Sequence, residues 1–146
     1  MNFGFGVGDF LAVSQLALRV YSAYKDAPGG LRNISDELNS LHNVVNKAQT
    51  QFEDSNPDPE NEEKLKGVLR GCQNVLKDLD DLLVKYRAMA SQDGFAVGRA
   101  VNRVKWGQEN IIELRARLTS NTTLLNTFIS RYAQYFFPMG YSIIRR

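Results

Sequence analysis

Three stretches of this chain place apolar side chains at alternating steps of three and four, and that spacing decides most of what the chain can fold into. In the clearest, Leu31, Ile34, Leu38, Leu41, Val45, Ala48 and Phe52 follow an unbroken 3-4-3-4 pattern. Such steps return to one side of an α-helix, whereas a half-buried strand needs alternation at every second residue. A stripe about six turns long has to be covered by other helices with stripes of their own. Leu65, Val68, Cys72, Val75, Leu79, Leu82 and Tyr86 make a second stripe. Leu69, Leu76 and Leu83 widen it, so this helix is expected to touch more than one neighbour. The third runs through Ile111, Leu114, Leu118, Asn121, Leu125, Phe128 and Tyr132. Asn121 stands where an apolar residue is expected, and a buried polar side chain there costs stability while fixing register.

The N-terminal stretch is built differently. Glycine alternates with apolar residues from Phe3 to Gly8, and an amphipathic pattern then begins at Asp9, a candidate N-cap. Phe10, Val13, Ala17, Val20 and Tyr24 lie along one side of the helix that follows. Pro28 restarts the chain as a second helix after Asp26-Ala27. The segment from Asp54 to Pro59 carries two prolines and reads as a loop, with Asp58 placed to cap a third helix that ends near Ser91-Gln92-Asp93-Gly94. A fourth helical region runs from about Phe95 to the Tyr132 neighbourhood, with Gly107 expected to kink it, and Pro138 and Gly140 stop it. Gly67 and Gly71 in the third helix read as sites of close packing against another helix or as simply tolerated there. The expected fold is all-α: an antiparallel, up-down-up-down bundle of four main helices, the fourth long, with a short aromatic C-terminal tail. The expected divisions are a Gly/Phe leader over 1–8, a bundle over 9–132 and an aromatic, basic tail over 133–146.

Composition narrows the functional classes. Hydrophobic residues are 43%, charged residues 23% and the formal net charge is +2, the profile of an ordinary globular domain with no general attraction to nucleic acid. One cysteine allows no internal disulfide and fits a reducing compartment. No basic region precedes the N-terminal apolar run, and Asp9, Ser14, Gln15 and Arg19 interrupt it, so neither a secretory signal nor a constitutive membrane span is expected. The expected location is cytoplasmic, with membrane association on activation.

Catalytic chemistry finds no foothold. Gly4-Phe5-Gly6-Val7-Gly8 matches neither dinucleotide nor P-loop spacing and has no cation placed to meet a phosphate. A di-iron bundle needs Glu-x-x-His pairs, but Asn39 precedes the single histidine, His42, by three residues. Cys72 falls on an apolar stripe and reads as a buried small hydrophobe. The expectation is a non-enzyme without cofactor, metal or small-molecule substrate.

Two other features bear on partners. Between Arg99 and Arg117, five basic residues (Arg99, Arg103, Lys105, Arg115, Arg117) face two acidic ones, while the second helical region carries a net excess of acid. Two readings stand: complementary packing between bundle faces, or a basic surface that attracts anionic lipid headgroups. In the tail, Tyr135, Phe136 and Phe137 with Arg145 and Arg146 suit either an interfacial membrane anchor or a segment folded back on the bundle.

Several local patterns together resemble a known family. They are Gly6-Val7-Gly8-Asp9-Phe10-Leu11-Ala12 leading to Tyr24-Lys25-Asp26-Ala27-Pro28, and Ile34-Ser35-Asp36-Glu37-Leu38-Asn39-Ser40-Leu41. Cys72-Gln73-Asn74-Val75-Leu76 with Leu83-Val84-Lys85-Tyr86 follows, then Val104-Lys105-Trp106 with Leu114-Arg115-Ala116-Arg117-Leu118-Thr119-Ser120-Asn121. From roughly Gly6 to Ser130 the chain resembles the fungal N-terminal domain of STAND proteins, the HeLo-like class. The resemblance implies a helical bundle placed ahead of a nucleotide-binding oligomerisation module in innate-immunity or programmed-cell-death receptors. It also implies an N-terminal apolar helix as the membrane-active element, a role that maps onto Phe3, Phe5, Val7, Phe10 and Leu11. The expected partners are proteins, including further copies of itself on activation, and anionic membrane lipids. The alternative function is a helical protein–protein interaction module without membrane activity.

Overall fold

The computed structural model describes the backbone of residues 7–27, 29–53, 58–93 and 97–136, and the side chains of 8–27, 31–53, 58–89 and 110–131. Four α-helices account for nearly all of it: α1 (Val7–Lys25), α2 (Ser35–Glu53), α3 (Pro59–Asp93) and α4 (Val97–Phe136). No strand occurs among the described residues. Most buried side chains belong to the predicted stripes, with Phe10, Val13, Ala17, Val20 and Tyr24 of α1 facing the other three helices in a single core. In α4 the unpredicted Ile129 is buried, Leu114 and Phe128 are only partly so, and the Tyr132 side chain lies outside the described residues.

The helix limits follow local chemistry. Asp58 caps α3: its Oδ1 accepts the Asn61 backbone N–H at 2.8 Å, and Pro59 takes the first helical position, where its missing donor costs nothing. The cap expected at Asp9 is corrected, because α1 already starts at Val7 and Asp9 is its third residue. There its carboxylate still sits at the positive end of the helix. The second helix is also corrected. Its first part, Gly29–Ile34, is a 3-10 helix, and α-helix begins at Ser35. Leu31 and Ile34 stay on the stripe because side chains three apart eclipse in that tighter helix. α4 is one continuous helix of 40 residues that passes Gly107 unbroken and ends two residues before Pro138. It thus runs past the Tyr132 neighbourhood, where the spacing put its end; the stop signals Pro138 and Gly140 lie outside the described residues.

The order of helices around the bundle is α1, α2, α4, α3. α1 packs on α2 and α3, and α4 packs on α2 and α3, while among the described residues no Cα of α2 comes within 8 Å of one in α3, nor any of α1 within 8 Å of one in α4. Directions alternate as expected: Phe10 meets Phe52 and Ser14 meets Asn46, so α1 and α2 are antiparallel. The chain therefore passes from α2 to α3 across the bundle diagonal. That diagonal is about 14 Å for helices spaced about 10 Å apart, within reach of a five-residue connection. The wide stripe of α3 divides between its two neighbours, α1 and α4, as its width predicted.

Candidate functional site

α1 is held to the bundle along its whole length. Phe10 is fully buried, with its ring centroid 5.3 Å from that of Phe52. One turn on, buried Ser14 donates from Oγ to Asn46 Oδ1 at 2.7 Å. Asn46 in turn lies 3.4 Å from His42 Nε2. At the other end Tyr24, fully buried, donates its hydroxyl to the Leu79 carbonyl of α3 at 2.5 Å. Burial, helped by the nearby Asp80 carboxylate and opposed by Arg87, pushes the Tyr24 phenol well above its ordinary pKa, so it stays a donor. Arg19 pairs with Asp80 at 3.3 Å across the same seam, and Arg87 reaches the Ala23 carbonyl at 3.4 Å.

The outer side of α1 is unusual in what it lacks. No charged residue occurs from Phe10 to Leu18, and Leu11 and Leu18 are each 47% exposed. They lie seven residues apart, hence on one face. The sequence reading named Leu11 but missed Leu18, although its spacing from Leu11 was the signal. On the other side of α1, facing α3 and away from Leu11 and Leu18, a shallow groove is lined by Asp9, Ala12, Val13, Lys66, Leu69, Arg70 and Gln73. Its cations Lys66 and Arg70 were also missed. Four apart on α3, they sit on one flank of that helix.

Of the other predicted site residues, Arg115 and Arg117 are engaged within the bundle. Arg115 donates from Nε and Nη2 to Glu37 Oε1 of α2, at 3.1 and 2.6 Å. Arg117 pairs with Asp78 of α3 at 2.7 Å. Arg99, Arg103 and Lys105 belong to the first turns of α4, Tyr135 and Phe136 to its last, and Val7 opens α1; their side chains lie outside the described residues. Phe3, Phe5, Phe137, Arg145 and Arg146 lie outside them altogether. Cys72 is buried between helices, and burial pushes its thiol up to about 12, which removes the thiolate a nucleophile or metal ligand needs. Among the described residues no three of His, Cys, Asp and Glu converge on a point where a metal could sit.

The fold is a four-helix bundle whose N-terminal helix is tied to its neighbours, and comparison with known families gives its domain class. Residues 9–125 match the family model SesA, described as an N-terminal domain on NACHT NTPases and P-loop NTPases, and the chain belongs to this family. No curated protein and no solved structure matches the chain. The resemblance to the N-terminal domain of STAND proteins thus holds at the level of the domain class.

Proposed function

We propose that this domain is the signalling module of a STAND-type NTPase and acts by inducible membrane association or permeabilisation through α1 and the leader before it. The observation that carries this reading is the outer face of α1, where Leu11 and Leu18 are exposed on a helix whose inner face is core and whose residues 10–18 carry no charge. No helix among the described residues is long and apolar enough to cross a membrane, so the expected mode is a helix lying in the interface plane. Likeness to the fungal HeLo-like class supports a role in innate immunity or programmed cell death.

Energetics make the action conditional. Withdrawing α1 exposes Phe10, Val13, Ala17, Val20 and Tyr24, a cost on the order of 10 kcal/mol at about 1.5–3 kcal/mol per large side chain. That is comparable to the whole stability of a domain this size. The resting bundle keeps α1 in place, and a trigger has to supply the difference. Leakage from anionic vesicles tests the proposal, comparing the intact chain with a chain lacking residues 1–8 and with Leu11→Ser/Leu18→Ser. Both variants should leak less; equal leakage from all three, or none, would sink the reading. The second reading, an interaction module without membrane activity, is favoured by the ties that hold α1 down, among them Tyr24 to Leu79 and Arg19 to Asp80.

A further inference from the structure

The outer ridge of α3, opposite its buried stripe, carries three features that nothing among the described residues explains. Gly67 is a helix-interior glycine, which costs about 1 kcal/mol relative to alanine. A Cβ there would meet nothing within 4 Å among the described residues, so no described neighbour requires the missing side chain. Val84 is 59% exposed in the middle of a charged surface. Arg70, Lys77 and Asp81 are exposed and make no ion pair among the described residues.

The ridge reads Gly67, Arg70, Asn74, Lys77, Asp81, Val84, with steps of three, four, three, four and three. Those steps are the same in either direction. Laid antiparallel on itself, with the centre between Asn74 and Lys77, the ridge pairs Gly67 with Val84, Arg70 with Asp81 and Asn74 with Lys77. Each pair occurs twice. We propose that this face of α3 is a two-fold interface with α3 of a second copy of the chain, Val84 entering the notch over Gly67 and Arg70 meeting Asp81 of the partner. A two-fold interface must be self-complementary in this way, residue i on j and j on i. The occupant is a copy and not an anionic membrane, because under that two-fold the ridge's own charges are complementary, Arg70 meeting Asp81 twice, whereas a membrane would set Asp81 against like charge.

The contact is one helix wide on each side, at the small end of specific interfaces, so a dissociation constant on the order of 0.1–1 mM is expected. Copies held side by side by a larger chain meet at effective concentrations of about millimolar, where such a contact fills.

Sedimentation velocity in lipid-free buffer, from about 10 μM to about 1 mM, tests the proposal independently of any membrane activity. The intact chain should shift from monomer toward dimer. Arg70→Asp and Asp81→Arg should each weaken association about tenfold or more, and the double variant carrying both should recover it, since the swapped charges meet again across the two-fold. Gly67→Gln, which fills the notch, should also weaken it. All these positions are exposed, so melting temperatures at micromolar concentration should be unchanged by the charge variants and raised by Gly67→Gln, a better helix former than glycine; none should fall, which separates loss of pairing from loss of folding. A monomer at every concentration overturns the proposal, as does association that the single charge variants leave intact or that the double variant fails to restore.

Discussion

Asn121 of α4 occupies the space that a side chain on Gly71 of α3 would take: its Oδ1 lies 2.5 Å from the position of a Cβ built on that glycine. The amide is fixed there by its own Nδ2, which donates to the Arg117 carbonyl at 2.8 Å. Gly71→Ala therefore gains helix propensity, about 1 kcal/mol, but must turn the Asn121 amide and lose a hydrogen bond of similar worth. The expected net change is near zero or destabilising. In an Asn121→Ala background the same substitution should stabilise by about 1 kcal/mol, because the obstruction is gone. Gly67→Ala, in open space, should stabilise the dilute protein without any such background. Urea unfolding of the four-member cycle reads the coupling directly; equal effects of Gly71→Ala in both backgrounds would show that the two residues do not constrain each other.

Tyr24 ties α1 to α3 through one buried hydrogen bond to the Leu79 carbonyl. Tyr24→Phe keeps the ring and removes the donor, so it should cost about 0.5–1.5 kcal/mol. Tyr24→Ala, which also leaves a cavity, should cost about 3–5 kcal/mol, by analogy with other large aromatic truncations. If α1 is the element released on activation, Tyr24→Phe should lower the threshold for vesicle leakage while leaving circular dichroism unchanged. A variant as stable as the parent would mean that the hydroxyl is satisfied equally well by solvent.

Much of the core was legible in the sequence, because stripes at steps of three and four translate directly into buried faces, and the Asp58-Pro59 start into a capped helix. What the spacing could not carry is relative placement. The width of the α3 stripe foretold two neighbours but not which two, since Leu69, Leu76 and Leu83 would widen the stripe equally for any arrangement around the ring. Asn121 was visible as a polar interruption, and Gly71 as a small residue; only packing joined them. The 3-10 segment was hidden because Leu31 and Ile34, three apart, fit either helix type. Arg115 and Arg117 left two readings open, complementary packing between bundle faces or a basic surface, and their partners Glu37 and Asp78, on two different helices, appear only once the ring order is known.

Those two arginines should differ in what their loss costs. Arg117 and Asp78 are both partly exposed, and a pair of that kind is worth at most about 1 kcal/mol, less in high salt. Arg115 holds Glu37, whose Oε2 is buried without a hydrogen-bond partner, so removing the guanidinium leaves a carboxylate poorly hydrated and uncompensated. Arg115→Ala should therefore destabilise more than Arg117→Ala, and Glu37→Gln should recover part of the loss in the Arg115→Ala background. Unfolding curves at about 0.05 M and 0.5 M salt check both the ranking and the screening. Equal costs, both vanishing in salt, would mean that Glu37 is better solvated than its position implies.

Cys72 sets the protein's response to alkali. Burial raises its thiol from an ordinary 9.0 to about 12, so above pH 9 the unfolded chain releases a proton that the native chain keeps. Stability from this group is complete below pH 9 and is lost as the pH rises toward the folded-state value, at about 1.4 kcal/mol per pH unit. Tyr24, also raised by burial, adds a loss in the same direction once the pH passes its ordinary value of about 10. Between pH 9 and 10 the cysteine acts largely alone of the two. Cys72→Ala should lower stability at neutral pH through lost packing, yet its decline from pH 9 to 10 should be shallower than that of the parent. Chemical denaturation at half-unit intervals from pH 8 to 10.5 measures both slopes, and parallel lines would show that the buried thiol is not what couples folding to alkali.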